Sequence, residues 1–172
     1  SATPIISAGN DFSLSAAGGT GYTGLPSISL SSISAHSGAN QTGTLAGSFS
    51  TTSGGSASGT FTYSEVGYFR LAAQAVYDTS FTVVDQGSDC IANSVSNSIS
   101  GGQYGCNFGT TVASDYFGRF TPHHFDVEVT DGCVLNSYTY SGQKFAVTVT
   151  ARNSLDATTR NYQGGFAKVV KG

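Results

Sequence analysis

The side chains that could do chemistry in this chain are few. Three cysteines, three histidines and ten acids are spread over 172 residues. Cys90 and Cys106 bracket fifteen residues rich in Ser, Asn and Gly, a stretch with almost nothing to bury. No histidine lies between them and the spacing fits no zinc motif. The expectation is a disulfide, which would stabilise the fold by ~3 kcal/mol in the chain-entropy model and which calls for an oxidising compartment. Cys133 is left over by this count. It is expected to be an intermolecular thiol, or one whose partner lies on a further segment, ahead of the alternative of a buried thiol.

Pro122-His123-His124-Phe125 is the one histidine cluster. Neighbouring residues of an extended segment point to opposite faces, so the two imidazoles are expected to be badly placed to share a metal. One ring should pack and the other face solvent. His36 sits alone in a polar loop. Asp126, Glu128 and Asp131 offer hard oxygen ligands of the kind calcium takes, but a solvated acidic face is the favoured reading. No serine sits in a Gly-x-Ser-x-Gly elbow, and no two carboxylates stand out as a glycosidase pair. No catalytic residue, metal site or cofactor is expected. Asn40-Gln41-Thr42 fits the acceptor pattern for N-glycosylation, a weak signal in a chain this rich in threonine.

The elements that must hold these residues are strands. Ser (26), Thr (20) and Gly (23) dominate the composition, Met and Trp are absent, and only 10% of residues are charged. Such a composition disfavours helices. Disorder is excluded by 38% hydrophobic residues, 20 of them Phe or Tyr, placed with a period of two. Alternation marks strands at Phe12–Ala16, Ser27–Leu30, Thr44–Phe49, Gly59–Tyr63, Phe69–Tyr77 and Ser80–Val84, with turn chemistry at Ser37–Gln41 and Thr51–Gly59 between them. Glu65–Leu71 reads as the corner entering a central strand, with Gly67 supplying an unusual backbone angle. Phe125, Val127 and Val129, then Tyr138–Tyr140, then Phe145, Val147, Val149 and Ala151 repeat the pattern. A faint repeat relates Asp11–Ala16 with Tyr22-Thr23-Gly24 to Lys144–Val149 with Tyr162-Gln163-Gly164.

The charge distribution suggests a boundary near residue 112. Residues 1–112 hold five acids and one base, Arg70, whereas residues 113–172 hold five acids and six bases. The expected fold is all-β, built from immunoglobulin-like β-sandwich modules: residues 1–84 as the first, 85–112 as a disulfide-closed Gly/Ser/Asn-rich connection, and 113–172 as a second module. That second module is incomplete, is completed by another segment or chain, or packs onto the first as one larger sandwich. A net charge of −3 gives nucleic acid no footprint. No apolar run is long enough to span a membrane.

Several segments taken together carry a resemblance. They are Gly59–Gly67, Tyr104-Gly105-Cys106, Gly118-Arg119-Phe120-Thr121-Pro122-His123-His124-Phe125, Tyr138–Gln143 and Asn161–Lys168. In this order, from about residue 59 onward, they resemble the domain forming the C-terminal part of MSHA biogenesis protein MshQ and related bacterial surface proteins. The resemblance implies export, a place in the bacterial envelope, and a role in pilus assembly or adhesion. It brings no established catalytic residues, and the family's domain is longer than this chain.

The expected function is therefore that of a non-enzymatic, extracellular structural or adhesive module of a pilus-associated or cell-surface protein, with other protein subunits or pilus components as partners. A self-assembling filament subunit held by strand complementation, and so a homo-oligomer, is the first alternative. A carbohydrate-binding module for surface glycans, with Tyr22, Tyr68, Tyr104 and Tyr116 as candidate contacts, is the second.

Overall fold

A pair of glycines sets the longest hairpin. β5 (Leu45–Ser53) and β6 (Ser56–Tyr63) pair antiparallel down to Ser53 opposite Ser56. The two residues between them, Gly54 and Gly55, have φ of +59° and +81°. Positive φ at both central positions is what a type I′ turn needs to match the twist of its strands, and glycine adopts it at little cost. β2 (Asp11–Ala17) adds to the other side of β6 over seven rungs, from Asp11 opposite Thr62 to Ala17 opposite Ser56. Period-two alternation turns Leu14, Leu45, Phe49, Ala57, Phe61 and Tyr63 inward, and all are buried.

The facing layer is assembled from shorter strands. β7 (Gly67–Leu71) lies between β4 (Ile33–Ala35) and β12 (Phe117–Thr121), and β12 takes β1 (Ile6–Ser7) in parallel on its far side. β8 (Val76–Asp78) lies between β3 (Ser27–Ile28) and β11 (Phe108–Gly109). The two layers meet through aromatic rings. Phe12 sits 5.2 Å from Phe120 and 6.2 Å from Phe69, while Tyr63 sits 4.6 Å from Phe69 and 5.1 Å from Phe120. The chain is thus all-β and sandwich-like, with an aromatic core. The structure, a computed structural model, describes residues 6–80, 88–133 and 138–167.

Two expectations change here. The alternating run from Phe69 to Tyr77 is not one strand. β7 stops at Leu71, the chain turns through Ala72–Ala75 with Gln74 at φ +62°, and β8 resumes in the neighbouring sheet. Leu71, Ala75 and Val76 are all buried, so a corner between sheets keeps enough inward residues to imitate unbroken alternation. The backbone also crosses the division placed at residue 112. β11 pairs with β8, and β12 pairs with β7 and β1, so residues 108–121 complete the sheets begun by residues 6–80. Most of the strand expected over Ser80–Val84 lies outside the described residues.

Two small ladders stand apart from these sheets. β9 (Cys90–Ile91) and β10 (Tyr104–Gly105) pair in parallel beside the Cys90–Cys106 disulfide. β13 (His124–Thr130) and β14 (Ala146–Arg152) form a separate antiparallel ribbon. A 3-10 turn at Gly164–Phe166 follows.

Candidate functional site

The β13–β14 ribbon is amphipathic by the arithmetic of its register. Its seven rungs run from His124 opposite Arg152 to Thr130 opposite Ala146. Side chains alternate across a strand, so the rungs Phe125/Ala151, Val127/Val149 and Val129/Val147 share one face, together with Phe145 just before β14. Val127 is 62% exposed, Phe145 55%, Val129 54%, Val147 52%, Val149 47% and Phe125 41%. This continuous apolar face makes the ribbon the candidate contact surface of the molecule.

The opposite face is polar and largely satisfied within the chain. Arg152 donates from Nε to Asp126 Oδ2 at 2.7 Å, and from Nη1 to the Thr158 hydroxyl at 2.9 Å and the Asp156 carbonyl at 3.1 Å. His124 Nε2 lies 3.3 Å from Asp156 Oδ1 and 3.7 Å from Asp126 Oδ1.

A buried polar clasp fixes the root of the ribbon. Glu65 is 1% exposed and its carboxylate accepts four N–H groups. The Gln41 side chain (2.5 Å) and the Arg160 backbone (3.1 Å) donate to Oε1, and the Asn161 (3.1 Å) and Val66 (3.3 Å) backbones to Oε2. Asn161, equally buried, accepts from the Asn40 and Gln41 backbones and donates to the Gln41 carbonyl. Asn153, one residue past β14, donates to the Ser64 carbonyl, and Ser154 N–H donates to the Ala8 carbonyl. The ribbon therefore leaves the sandwich from a root bonded to three separate stretches of it, at Ala8, Asn40–Gln41 and Ser64–Glu65. The corner expected at Glu65–Leu71 is present, with Gly67 at φ +106°. His36 is not solitary: its ring lies against Gly67, where a Cβ would collide with it, and 4.4 Å from Phe166.

A second concave feature opens between the layers. An apolar cleft of about 280 Å³ is lined by Leu14, Phe49, Leu71, Val76, Phe108 and Phe117, with Tyr22 and Asp78 adding polar groups to its wall. The Tyr22 hydroxyl donates to Asp78 Oδ2 at 2.6 Å, and Ser80 donates twice to Oδ1. Burial, then the hydrogen bond and charge of Asp78, push the Tyr22 phenol well above its ordinary value. Burial alone would raise Asp78, but the donors from Ser80 and Tyr22 outweigh it and hold the carboxyl below its ordinary value.

The other expected residues fall as follows. Cys90 and Cys106 are joined as a disulfide. Cys133 is half-buried, and its N–H donates to the Tyr138 carbonyl at 3.1 Å. The imidazoles of His123 and His124, expected on opposite faces, meet with Nδ1 atoms 3.0 Å apart; His123 precedes β13, so strand alternation does not govern it. Asp126 is held by Arg152 and Asp131 by the Thr139 hydroxyl, and no group of three potential metal ligands gathers among the described residues. The side-chain amide of Asn40, the glycosylation candidate, donates to the Arg160 carbonyl within the clasp. Tyr22 stacks near Phe108, Tyr68 near His36 and Phe166, and Tyr116 beneath Arg70, so these rings have separate neighbours. Tyr104 is exposed on β10.

Residues 65–171 match the sequence pattern of the third domain of DUF6701. The chain belongs to the DUF6701 family. No curated protein and no solved structure matches it. The DUF6701 match opens on the clasp carboxylate, Glu65, and takes in the disulfide, the ribbon and Asn161. The aromatic core, by contrast, is shared with strands that precede the match: Phe12 and Tyr63 pack on Phe69 and Phe120, and Phe61 packs on Phe12.

Proposed function

We propose that this chain is a non-enzymatic structural or adhesive module of a bacterial cell-surface protein, and that the β13–β14 ribbon is the surface by which it joins other protein subunits. The observation that carries this reading is the uncharged valine and phenylalanine face held at roughly half exposure on a firmly rooted ribbon. The disulfide suits an oxidising compartment. Among the described residues no helix is long and apolar enough to cross a membrane. The pilus context comes from the likeness to the MshQ domain, and pilus components are the partners it favours.

A second reading, a filament subunit held by strand complementation, is favoured by a different observation. β13 has no strand neighbour other than β14 among the described residues, so its outer edge offers unpaired backbone groups. Binding of surface glycans ranks last, because Tyr22, Tyr68 and Tyr116 each lie against different neighbours and do not form one aromatic platform.

The test is labelling of cells that produce the chain within its native protein. Antibody should reach it on intact cells, and a variant with Lys at Val127 and Val129 should be exported but shed from surface material. Labelling that requires opening the cytoplasm would overturn the reading.

A further inference from the structure

We infer that the apolar face of the ribbon is covered by the same face of a second copy of this chain, the two closing a four-stranded sandwich about a two-fold axis. This inference rests on the reading of the ribbon as the interaction surface and names its partner.

The polar and apolar faces differ in what they lack. On the polar side, Asp126, Arg152 and His124 have partners within the chain. On the apolar side, Phe125 meets the Tyr162 ring 5.3 Å away at the root of the ribbon, while Val127, Val129, Phe145, Val147 and Val149 present only hydrocarbon. Any occupant must therefore be uncharged, extended and apolar on one side. A two-stranded ribbon is marginal alone and needs a second layer, and sheets of like twist stack about 10 Å apart with their strands nearly aligned. Another copy of the ribbon has the required length, chemistry and twist.

Symmetry and area agree. Val127 and Val149 form the central rung of the three apolar ones. An axis through that rung lays valine on valine and sets Phe125 of each copy over the Val129/Val147 rung of its mate. Isologous contacts of this kind are the commonest in homo-oligomers. The six half-exposed side chains present on the order of 500 Å² of apolar surface, the upper end of what a monomer leaves uncovered. Two copies together reach about 1,000 Å², the lower limit of a specific interface. No charge is buried in the process.

The experiment is sedimentation velocity on the whole chain, disulfide intact, over a concentration series. It compares the unaltered chain with Val149→Lys on the apolar face and Thr148→Lys on the polar face. A monomer–dimer equilibrium is expected, weakened about tenfold or more by Val149→Lys and unchanged by Thr148→Lys. Because Val149→Lys could disturb folding, a second measurement uses the unaltered sequence. Mixed isotope-labelled and unlabelled chains should give intermolecular contacts between Val127 and Val149 methyl groups. A monomer at every concentration overturns the inference, as does a dimer indifferent to Val149→Lys. An open-ended ladder unaffected by that change also overturns it, in favour of pairing at the β13 edge. A monomer that floats with phosphatidylcholine vesicles overturns it in favour of a lipid surface. None of these outcomes touches the cell-labelling result, so failure of the dimer and failure of the surface-module reading are told apart.

Discussion

Replacing Glu65 by Gln tests whether the carboxylate organises the clasp. The change keeps size and shape and removes only the charge and one acceptor oxygen. In the native chain two N–H groups point at each oxygen: Gln41 and Arg160 at Oε1, Asn161 and Val66 at Oε2. A glutamine can offer a carbonyl to one pair only, and it turns an NH₂ group toward the other. Two donors lose their acceptor in a site that is 1% exposed. Each hydrogen bond to a charged group is worth about 1.5–3 kcal/mol, and an unsatisfied buried group costs about 1–3 kcal/mol. Since these terms overlap, the expected loss is about 2–5 kcal/mol. Urea unfolding followed by tyrosine fluorescence measures it, as a lower midpoint with an unchanged slope. Asn161→Ala should cost a similar amount, and the double variant should fall short of the sum, because both belong to one network. A Glu65→Gln chain within about 0.5 kcal/mol of the parent, the usual size of a surface change, would refute the reasoning.

Three other outcomes follow from the packing and the charges. Replacing both Cys90 and Cys106 by Ser should cost ~3 kcal/mol in the chain-entropy model, read as a drop in unfolding midpoint that reducing agent reproduces in the parent chain. Phe120→Ala should cost about 3–5 kcal/mol, the range for a buried aromatic, because Phe120 packs against Phe12, Tyr63 and Phe69; a negligible loss of melting temperature would show that β12 is not part of the core. Asp78 has a folded value below its ordinary 3.8, so its contribution is fully present above pH 3.8 and is lost as pH falls through the lower folded value. Asp78→Asn should flatten that acid limb of a stability–pH profile, and an unchanged limb would sink the assignment.

Much of the sandwich was legible because alternation and turn residues agree. Phe12–Ala16 and Gly59–Tyr63 lie inside β2 and β6, and Phe125–Val129 inside β13. Strands of two or three residues, such as β1, β9 and β11, are too short to show a period, and neighbours define them instead. The parallel pairing of β1 with β12 joins residues more than a hundred positions apart, which no local signal records. The break at Ala72–Ala75 was hidden because small residues fit a corner as readily as a strand. The amphipathic ribbon was visible in Val127, Val129, Val147 and Val149, although its exposure was not. Glu65 was read only as part of a corner. Its burial could have been found by extending the inward series 57, 59, 61, 63 by one more step.

The clasp also constrains the order in which the molecule is made. Residues 40–41 and 65 are long synthesised before Arg160 and Asn161 appear, some 95 to 121 positions later. During that interval Glu65 lacks two of its four donors, and Asn161 is absent from the Asn40–Gln41 loop. Burying a carboxylate so poorly served is costly, so the corner between β6 and β7 cannot settle early, however complete the strands around it. Contacts this distant along the chain form late and slowly. In a growing polypeptide of this sequence the corner at Glu65 is therefore the part that closes last, once Arg160 and Asn161 have emerged, well after the core strands up to β12 have been made.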